Sequence, residues 1–404
     1  MLTPFERPAV VLDCGTGYTK LGFAGNGEPS AVIPTVVAVP QVRSRPGPFD
    51  DLDYSIGDAA LAAATSSALH YPVKQGMVES WDVMERFWQQ CFFQHLRVDS
   101  SAHNVVLTEP ALNTTEAREA AAEVLFESFS VPGLHIGVQA VFALYAAFGQ
   151  QERGRALTGA VVDAGDGYTS CIPVVNGFVL SAALRSLPVA GRDVTRLVQK
   201  LLRERGAPVP PDQWLEVARQ IKEAHCYTCS DATKERAKFD ADPGKHVRLW
   251  EGVNAKSGAR FRCGVGVERF LGPEALFRPE MVTSEPAQPL PEMVDACIQS
   301  CPIDTRRALY GNIVLSGGTT MFKNFGTRLQ RDIQRIVDAR MARSGGGALR
   351  VTVTSHGRQQ HAAWFGGAML GAMPEFASVC HTRAEYAEHG PSICRSNSVF
   401  RDIA

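Results

Sequence analysis

Two regions of the chain begin with a short apolar run that ends in an aspartate and leads into a glycine-rich turn. Residues 9–13 form the first run, the turn has the sequence CGTGYTK, and residues 21–23 are again apolar. Residues 160–163 form the second run, followed by the turn AGDGYTS and the apolar residues 171–175. Short β-branched runs bounded by glycines are typical of strands, so each region is predicted to be a strand, a tight turn and a second strand.

These two regions are copies of one pattern. Aligned at Asp13 and Asp163, the sequences DCGTGYTK and DAGDGYTS agree at five of eight positions. A third glycine-rich segment, residues 312–321, also passes from an apolar run into a turn and ends in SGGTTM. The repeat indicates two duplicated lobes.

Apolar positions spaced three and four residues apart predict helices between these strand regions. Residues 80–95 place apolar side chains on one face, whereas residues 138–148 are apolar nearly all round, which indicates a buried helix. A segment resembling a capping box, Thr115-Glu-Ala-Arg118, is predicted to begin the helix over 114–129. The further predicted helices are residues 191–204, 212–224 and 325–340. Alternating strands and helices imply mixed sheets with helix layers.

Length and composition are ordinary for a folded protein of two lobes. The 404 residues are 45% hydrophobic and 21% charged, with a formal net charge of −1. This balance provides a core and argues against a nucleic-acid-binding surface built on bulk positive charge. No apolar run reaches the roughly 18 residues of a membrane span, and no signal peptide is apparent, so an intracellular chain is expected.

The ten cysteines are spread along the whole chain and are expected to be free thiols of the core. Cys226 and Cys229 form a C-x-x-C pair, but no second pair lies at zinc spacing, which disfavours a metal or redox role. Cys297 and Cys301 are four residues apart and are expected to pack on one helical face.

The paired turns contain the residue types that a phosphate site needs. Glycines let backbone N–H donors approach a phosphate closely because no Cβ intervenes. Asp13 and Asp163 cannot face phosphate without repulsion, so a hydrated Mg²⁺ is the expected mediator, while Lys20 would add positive charge and Thr16 a hydroxyl donor. Three hairpin turns without a ligand are the less favoured explanation. The motifs of P-loop proteins and protein kinases are absent, which excludes those nucleotide folds.

Further segments connect these turns to a known family. With QAVFALY (139–145), SGGTTM (316–321) and WFGG (364–367), the turns resemble the actin superfamily from about residue 9 to the C-terminus. Finer motifs resemble one branch of the actin-related proteins, whose members belong to the complex that nucleates branched actin filaments. Those motifs include ERFLGPE (268–274), CPID (301–304) and PSICR (391–395).

The resemblance implies an α/β, actin-like ATPase fold in which two related lobes, built from duplicated mixed-sheet domains, have a nucleotide cleft between them. The first lobe would comprise residues 1–147 and 352–404, with a small subdomain inserted at about 35–71. The second lobe would comprise residues 148–351, with a subdomain inserted at about 190–275.

The resemblance also assigns residues to a site for ATP and Mg²⁺. Asp13, Gln139 and Asp163 would hold the metal through water, and Gln139 and Asp163 would support any hydrolysis. The residues expected to contact the nucleotide are Gly15, Thr16, Gly17, Tyr18 and Lys20 in the first phosphate loop, Gly165, Asp166 and Gly167 in the second, and Lys222, Glu223, Gly318, Met321 and Phe322 around the nucleoside.

Three places depart from the family pattern. Where actins have a histidine that helps to orient the attacking water, this chain has Ser170, so slow or absent ATP hydrolysis is expected. Gln360 and His361 replace a basic and an aromatic residue near the base, and His361 is expected to be a partly buried packing residue. The Pro- and Arg-rich loop 39–49 is expected not to copy the actin contact with a neighbouring subunit.

The leading interpretation is an ATP-binding subunit, at most a weak ATPase, that serves as a template protomer for branched actin filaments. Its expected partners are a second actin-related protein, further subunits of the nucleating complex, actin and a nucleation-promoting factor, in the cytoplasmic cytoskeleton. There are two alternatives. One is another ATPase or a sugar kinase of the same fold, and the other is a divergent actin-related protein of a nuclear complex. No base for a sugar hydroxyl is found beyond the metal-site acids, and no basic run typical of nuclear import is present.

Overall fold

The computed structural model describes residues 7–40, 54–64, 66–148, 157–254 and 257–400. The chain divides into two compact units. The first unit contains Met1–Val161, Ile172–Ala182 and His356–Ala404, and the second contains Val162–Cys171 and Ala183–Ser355. Of the loop 39–49, which is predicted to differ from actin, residues 41–49 lie outside the described residues.

Strands and helices alternate along much of the chain, as the hydrophobic pattern predicts. In chain order the strands are β1 (Val10–Cys14), β2 (Tyr18–Phe23), β3 (Ala31–Pro34), β4 (Val37–Pro40), β5 (Ser55–Ile56), β6 (Ser67–His70), β7 (Val73–Lys74), β8 (Met77–Val78), β9 (Val105–Glu109), β10 (Gly133–Val138), β11 (Gly159–Ala164), β12 (Thr169–Val175), β13 (Phe178–Val179), β14 (Arg185–Leu187), β15 (Arg248–Val253), β16 (Arg260–Val265), β17 (Ile313–Ser316), β18 (Val353–Thr354) and β19 (His381–Thr382). The α-helices are α1 (Gly57–Ala62), α2 (Trp81–Gln90), α3 (Thr115–Glu123), α4 (Gln139–Phe148), α5 (Gly191–Glu204), α6 (Trp214–His225), α7 (Ala232–Ala241), α8 (Pro243–His246), α9 (Glu268–Glu274), α10 (Leu290–Gln299), α11 (Ile303–Gly311), α12 (Phe325–Ser344), α13 (Ala362–Gly371), α14 (Phe376–Val379) and α15 (Arg383–His389).

The first sheet has the strand order β19-β10-β9-β1-β2-β3. β1 is antiparallel to β2, which sets Asp13 opposite Lys20, and it is parallel to β9. β9 is in turn parallel to β10. Because the carboxyl ends of parallel strands meet at one edge of a sheet, the ends of β1, β9 and β10 lie together there.

The second sheet has the strand order β13-β12-β11-β17-β18, and β14 pairs with β12. The strand, turn and strand predicted over 160–175 are confirmed by β11 and β12. An equivalent backbone hydrogen bond closes each of the two repeated turns. The Gly15 N–H donates to the Tyr18 carbonyl at 3.1 Å, and the Gly165 N–H donates to the Tyr168 carbonyl at 3.3 Å. The repeat in sequence is therefore also a repeat in backbone structure.

The predicted helices are present, but several of them differ in detail near their ends. α2 stops at Gln90, and the rest of the predicted helix is a π-helical segment, Cys91–Leu96. α3 is capped by Thr114, whose side chain accepts the Ala117 N–H at 3.1 Å, so the predicted capping box one residue later is wrong.

The long basic helix α12 extends past the predicted end at Arg340 to Ser344. It ends where Gly345 adopts the left-handed backbone conformation, with φ of 65°, which is the common way in which helices terminate. In the described parts of the chain, no helix is both long and apolar enough to cross a membrane.

All ten cysteines fall within the described residues, and none is in a disulfide. Nine are buried and Cys14 is partly buried, which confirms the prediction of free core thiols. Cys226 and Cys229 belong to different apolar clusters of the second unit, so their side chains serve packing.

A buried ion pair ties α3 to the end of β9. The Arg118 guanidinium lies 2.7 Å from the Glu109 carboxylate, and both side chains are less than a tenth exposed. Asn113 and Asn397 also donate to that carboxylate, each at 2.9 Å. A buried charge that loses its partner is strongly destabilising, so this pair is a sensitive point of the first unit.

We expect Arg118→Leu to lower the free energy of unfolding by about 3–5 kcal/mol, because Glu109 would stay buried without its cation. The thermal midpoint should fall by roughly 10 °C. The control is Arg196→Leu, which removes the pair between the exposed Arg196 and the half-buried Asp193 at 3.5 Å and should change stability by less than about 1 kcal/mol. Equal midpoints for the two variants in a thermal denaturation experiment would show that the buried pair contributes no more than the exposed one.

Candidate functional site

The first glycine turn, between β1 and β2, is fixed from several sides. A Cβ on Gly15 would stand 2.9 Å from the Tyr18 carbonyl oxygen, so this position requires glycine. The Thr35 hydroxyl donates to the Gly15 carbonyl at 2.8 Å. The Thr16 hydroxyl accepts the Gly76 N–H at 2.8 Å, which leaves its own proton as a donor.

The predicted metal-site residues of the first unit converge at the edge formed by β1, β9 and β10. Asp13 is 3% exposed. Its carboxylate lies 3.0 Å from the Lys20 amine and accepts hydrogen bonds from Thr108 at 2.6 Å and from the Gln139 side-chain amide at 3.0 Å. The structure therefore brings Asp13, Lys20 and Gln139 together.

The electrostatic balance around Asp13 favours the ionised carboxylate. Burial by itself raises the pKa of Asp13. The charge of Lys20 and the hydrogen bonds from Thr108, Lys20 and Gln139 outweigh burial, so the pKa of Asp13 lies below its usual value. An anionic Asp13 at neutral pH is the form that would hold a water ligand of a cation.

The second glycine turn, between β11 and β12, is anchored mainly through its backbone. The Gly165 carbonyl accepts the Thr319 hydroxyl at 2.7 Å and the Gly191 N–H at 3.0 Å. Asp166 pairs with Arg192, with 3.1 Å between Oδ2 and Nε, and its carbonyl accepts the Arg192 N–H at 2.9 Å. These contacts hold the turn to the start of α5.

The segment after β17 approaches this turn so closely that only glycine is possible at one position. Gly317 has φ of 89°, and a Cβ there would stand 2.3 Å from the Ala164 carbonyl oxygen. A Cβ on Gly318, in contrast, would have no neighbour within 4 Å. The remaining predicted residues of this segment are partly accessible, since Met321 is 46% exposed and Phe322 is half-buried.

The two predicted residues of α6 lie in different surroundings. Lys222 is buried, and its amine donates to the Gly191 carbonyl at 3.3 Å, beside the second turn. Burial lowers the pKa of Lys222, and the nearby Asp166 carboxylate opposes part of this effect. Glu223 is exposed and accepts hydrogen bonds from Arg219 at 2.9 and 3.1 Å. Its carboxylate therefore pairs along its own helix rather than lying beside the second turn with Lys222.

Two of the positions that depart from the family pattern have buried polar atoms without a hydrogen-bond partner among the described residues. Ser170 on β12 is 1% exposed, and its hydroxyl has no hydrogen-bond partner among the described residues. The Nδ1 atom of half-buried His361 likewise has none in that part of the chain. Burial and the charge of Lys20 lower the pKa of His361, which favours the neutral imidazole. Gln360 is exposed.

Three residues contribute to the candidate site although the sequence motifs did not assign them to it. Thr108 donates to Asp13, Arg192 pairs with Asp166, and Thr319 donates to the Gly165 carbonyl. Thr319 lies within the SGGTTM motif noted in the sequence, but nothing local identifies the partner of any of the three residues. Of the three, Thr108 is the residue that the sequence could have identified, because a polar residue near the end of a buried parallel strand indicates a ligand-binding site.

Comparisons with known proteins agree with the fold and with these motifs. A family model described as Actin matches residues 5–216 and 213–398. The chain therefore belongs to the actin family. It is also similar over nearly its whole length to proteins named Actin-related protein 3, which confirms the predicted resemblance to that branch.

Three such relatives come from plant, insect and nematode. The protein of Oryza sativa subsp. indica is 50% identical, covering 98% of this chain and 99% of the relative. That of Drosophila melanogaster is 52% identical, covering 97% and 98%. That of Caenorhabditis elegans is 49% identical, covering 99% of both.

We expect Lys20→Met to raise the pKa of Asp13 above its usual value near 3.8, because burial would then outweigh the remaining hydrogen bonds. A depressed carboxyl pKa stabilises the folded state at pH values above the unfolded-state pKa, whereas a raised pKa destabilises it there. The free energy of unfolding of Lys20→Met should thus fall furthest below that of the wild type near pH 7. It should shrink as the pH falls toward about 4.

Urea denaturation of both proteins across this pH range measures the effect. Lys74→Met is a matched control, since Lys74 forms an exposed pair with Glu79 at 3.2 Å. The control should cost less than about 1 kcal/mol at every pH. A Lys20→Met deficit that does not depend on pH would argue against the proposed coupling to Asp13.

Proposed function

We propose that this chain binds Mg-ATP and hydrolyses it slowly or not at all. The observation that supports binding most directly is the pair of glycine turns closed by the same backbone hydrogen bond, each placed directly after an aspartate. Such turns present backbone N–H donors to phosphate oxygens. Membership of the actin family, for which nucleotide with a divalent metal is the expected ligand, supports the same proposal.

The donor set suits Mg²⁺, which prefers oxygen ligands and retains several waters. We propose that Asp13, Gln139 and Asp163 hold the ion through water. The amide NH₂ of Gln139 donates to Asp13, so its carbonyl oxygen is the atom suited to a metal-bound water. The bound ion would neutralise phosphate charge, and Lys20 would add to that effect.

Nucleotide contacts are proposed for both glycine turns and for the residues that surround the second. The set comprises Gly15, Thr16, Gly17, Tyr18, Gly165, Asp166, Gly167, Lys222, Glu223, Gly318, Met321 and Phe322. A Cβ on Gly318 would have no neighbour within 4 Å, and one on Gly165 would stand 4.0 Å from the Tyr168 carbonyl oxygen, which suits close approach of a ligand to both. Glu223 would have to share its carboxylate with Arg219.

Slow hydrolysis follows from the side chain at position 170. Turnover depends on groups that position the attacking water, whereas binding does not. A buried serine hydroxyl is shorter than an imidazole and much less basic, so Ser170 is poorly suited to that task. The Ser170 hydroxyl has no hydrogen-bond partner among the described residues, so none of them orients it toward an attacking water, which supports the proposal of slow hydrolysis.

We expect wild-type protein to bind a fluorescent ATP analogue in the presence of Mg²⁺ and to lose most of that affinity when EDTA is added. Ser170→His should leave the affinity nearly unchanged and increase phosphate release on the order of 100-fold, a usual contribution of a positioned proton-transfer group.

Ser170→Ala is the matched control and should show the slow wild-type rate. Thermal midpoints of all three proteins establish that the buried substitutions leave them folded. Absence of Mg-dependent binding by folded wild-type protein would refute the nucleotide proposal. Rapid phosphate release by wild-type protein would refute only the proposal of slow hydrolysis.

We further propose that the chain is a template protomer of an actin-nucleating complex. Its partners would be a second actin-related protein, other subunits of that complex, actin and a nucleation-promoting factor, in the cytoplasmic cytoskeleton. About 50% identity over nearly the full length to proteins named Actin-related protein 3 supports this assignment. In this role the nucleotide is a structural ligand, and any ATPase activity would only modulate how well the chain serves as a template for actin.

The native mass of tagged protein purified from its own cells at moderate salt tests the assembly. We expect co-elution with a second actin-like chain in a particle several times larger than the 43.8 kDa chain. The purified particle should also shorten the lag of actin polymerisation when an activator is added. A lone 43.8 kDa species with the same nucleotide affinity would refute the template role but not nucleotide binding.

A further inference from the structure

Thr35 is a buried residue that contacts the first glycine turn at two points. It lies between β3 and β4, and 1% of its surface is exposed. Its backbone N–H donates to the Gly17 carbonyl at 3.0 Å, and its hydroxyl donates to the Gly15 carbonyl at 2.8 Å. One residue from a neighbouring segment therefore engages two carbonyl groups of this turn.

A second hydroxyl fixes the orientation of the first. A threonine hydroxyl has one proton to donate, and its oxygen can accept from other donors. The proton of Thr35 goes to the Gly15 carbonyl, which can only accept. In the 2.9 Å contact between the hydroxyls of Thr35 and Thr19, Thr19 is therefore the donor. Thr19 on β2 is also buried, so a buried chain of two hydroxyls ends on the turn.

The contacts of Thr35 set the direction of two peptide groups in the turn. A trans peptide is planar, so the carbonyl of one residue and the N–H of the next point in opposite directions. Because the Gly15 carbonyl is held toward Thr35, the Thr16 N–H points away from it. The Gly17 carbonyl is held in the same way, so the Tyr18 N–H points away as well. Thr35 thus orients N–H donors of the turn from behind.

The glycines of the turn make this support necessary. Glycine restricts the backbone less than other residues, so the peptide groups beside Gly15 and Gly17 can rotate at low cost. Thr35 is a firm anchor, because its χ1 is restricted and the preceding strand β3 is paired with β2. Donors that are held in place before a ligand arrives lower the cost of ordering on binding.

An equivalent hydroxyl contact recurs in the second turn, although a different element supplies it. Gly165 occupies the position of Gly15 in the repeat, and its carbonyl accepts the Thr319 hydroxyl at 2.7 Å. Thr319 follows β17 and is buried, whereas Thr35 follows β3. By the same peptide geometry, the Asp166 N–H points away from Thr319. Threonines from different parts of the chain thus hold equivalent carbonyls, which indicates that the contact serves a task common to both turns.

We infer that Thr35 and Thr319 are positioning residues, which hold the N–H donors of the two glycine turns in the orientation that a phosphate chain requires. This role presupposes the proposed binding of Mg-ATP. Both hydroxyls act on backbone carbonyls rather than on the ligand. Their contribution is therefore specific to ligands that bear phosphates, because only the direction of the N–H donors depends on it.

The test measures binding of a fluorescent ATP analogue to the full chain with Mg²⁺, and displacement of the analogue by ATP and by adenosine. Thr35→Val removes the hydroxyl but keeps the shape and the backbone N–H. We expect it to weaken ATP binding about tenfold and to leave displacement by adenosine unchanged, because adenosine has no phosphate. Thr35→Ser supplies the hydroxyl again and should restore ATP affinity.

Thr319→Val should weaken ATP binding less, by about threefold. The Gly191 N–H also donates to the Gly165 carbonyl, at 3.0 Å, and would still hold it in this variant. The matched control is Ser100→Ala, which removes another buried hydroxyl-to-carbonyl bond of the first unit, to Phe129 at 2.7 Å. The control should bind ATP like wild type.

Thermal midpoints identify the variants that fold. If Thr35→Val does not fold, Thr19→Val takes its place, because it removes only the donor to the Thr35 hydroxyl and should weaken ATP binding by about threefold. Unchanged ATP affinity in the folded valine variants, an equal loss for ATP and adenosine, or an equal loss in Ser100→Ala would overturn the positioning role and leave nucleotide binding in place. Absence of Mg-dependent binding by wild-type protein would refute the nucleotide proposal and the positioning role with it.

Discussion

The buried carboxylate of Asp13 is the interaction on which the arrangement of the first unit depends. A charge that is only 3% exposed is tolerated when it is both paired and hydrogen-bonded. Its partners come from three elements: Lys20 on β2, Thr108 on β9 and Gln139 at the start of α4. A shift in the register of any of these strands would separate Asp13 from a partner, so neutralisation of one charge also holds the sheet edge in register.

The second unit stabilises its copy of the turn by different means. Close backbone approach replaces the buried ion pair, because Gly317 brings its segment against the Ala164 carbonyl and the Thr319 hydroxyl donates to Gly165. Asp166 is neutralised by Arg192 in a more accessible pair. The duplicated turns thus share a sequence pattern and a closing hydrogen bond, whereas the contacts that hold them differ.

This combination of shared turns and different surroundings supports the proposal that nucleotide serves mainly as a structural ligand. Ground-state binding needs donors and charge, which both turns provide. Turnover needs a further group positioned for the attacking water, and Ser170 does not supply one comparable to imidazole.

The sequence by itself determined the local structure: the repeated strand-turn-strand units and the helices. These follow from apolar periodicity and turn chemistry, which act between near neighbours. The tertiary structure alone decided which distant groups meet. Thr108 lies 95 residues from Asp13 and Thr319 lies 154 from Gly165, and Glu223 faces Arg219 on its own helix. Strand order and helix packing set such partnerships, and no local pattern encodes them.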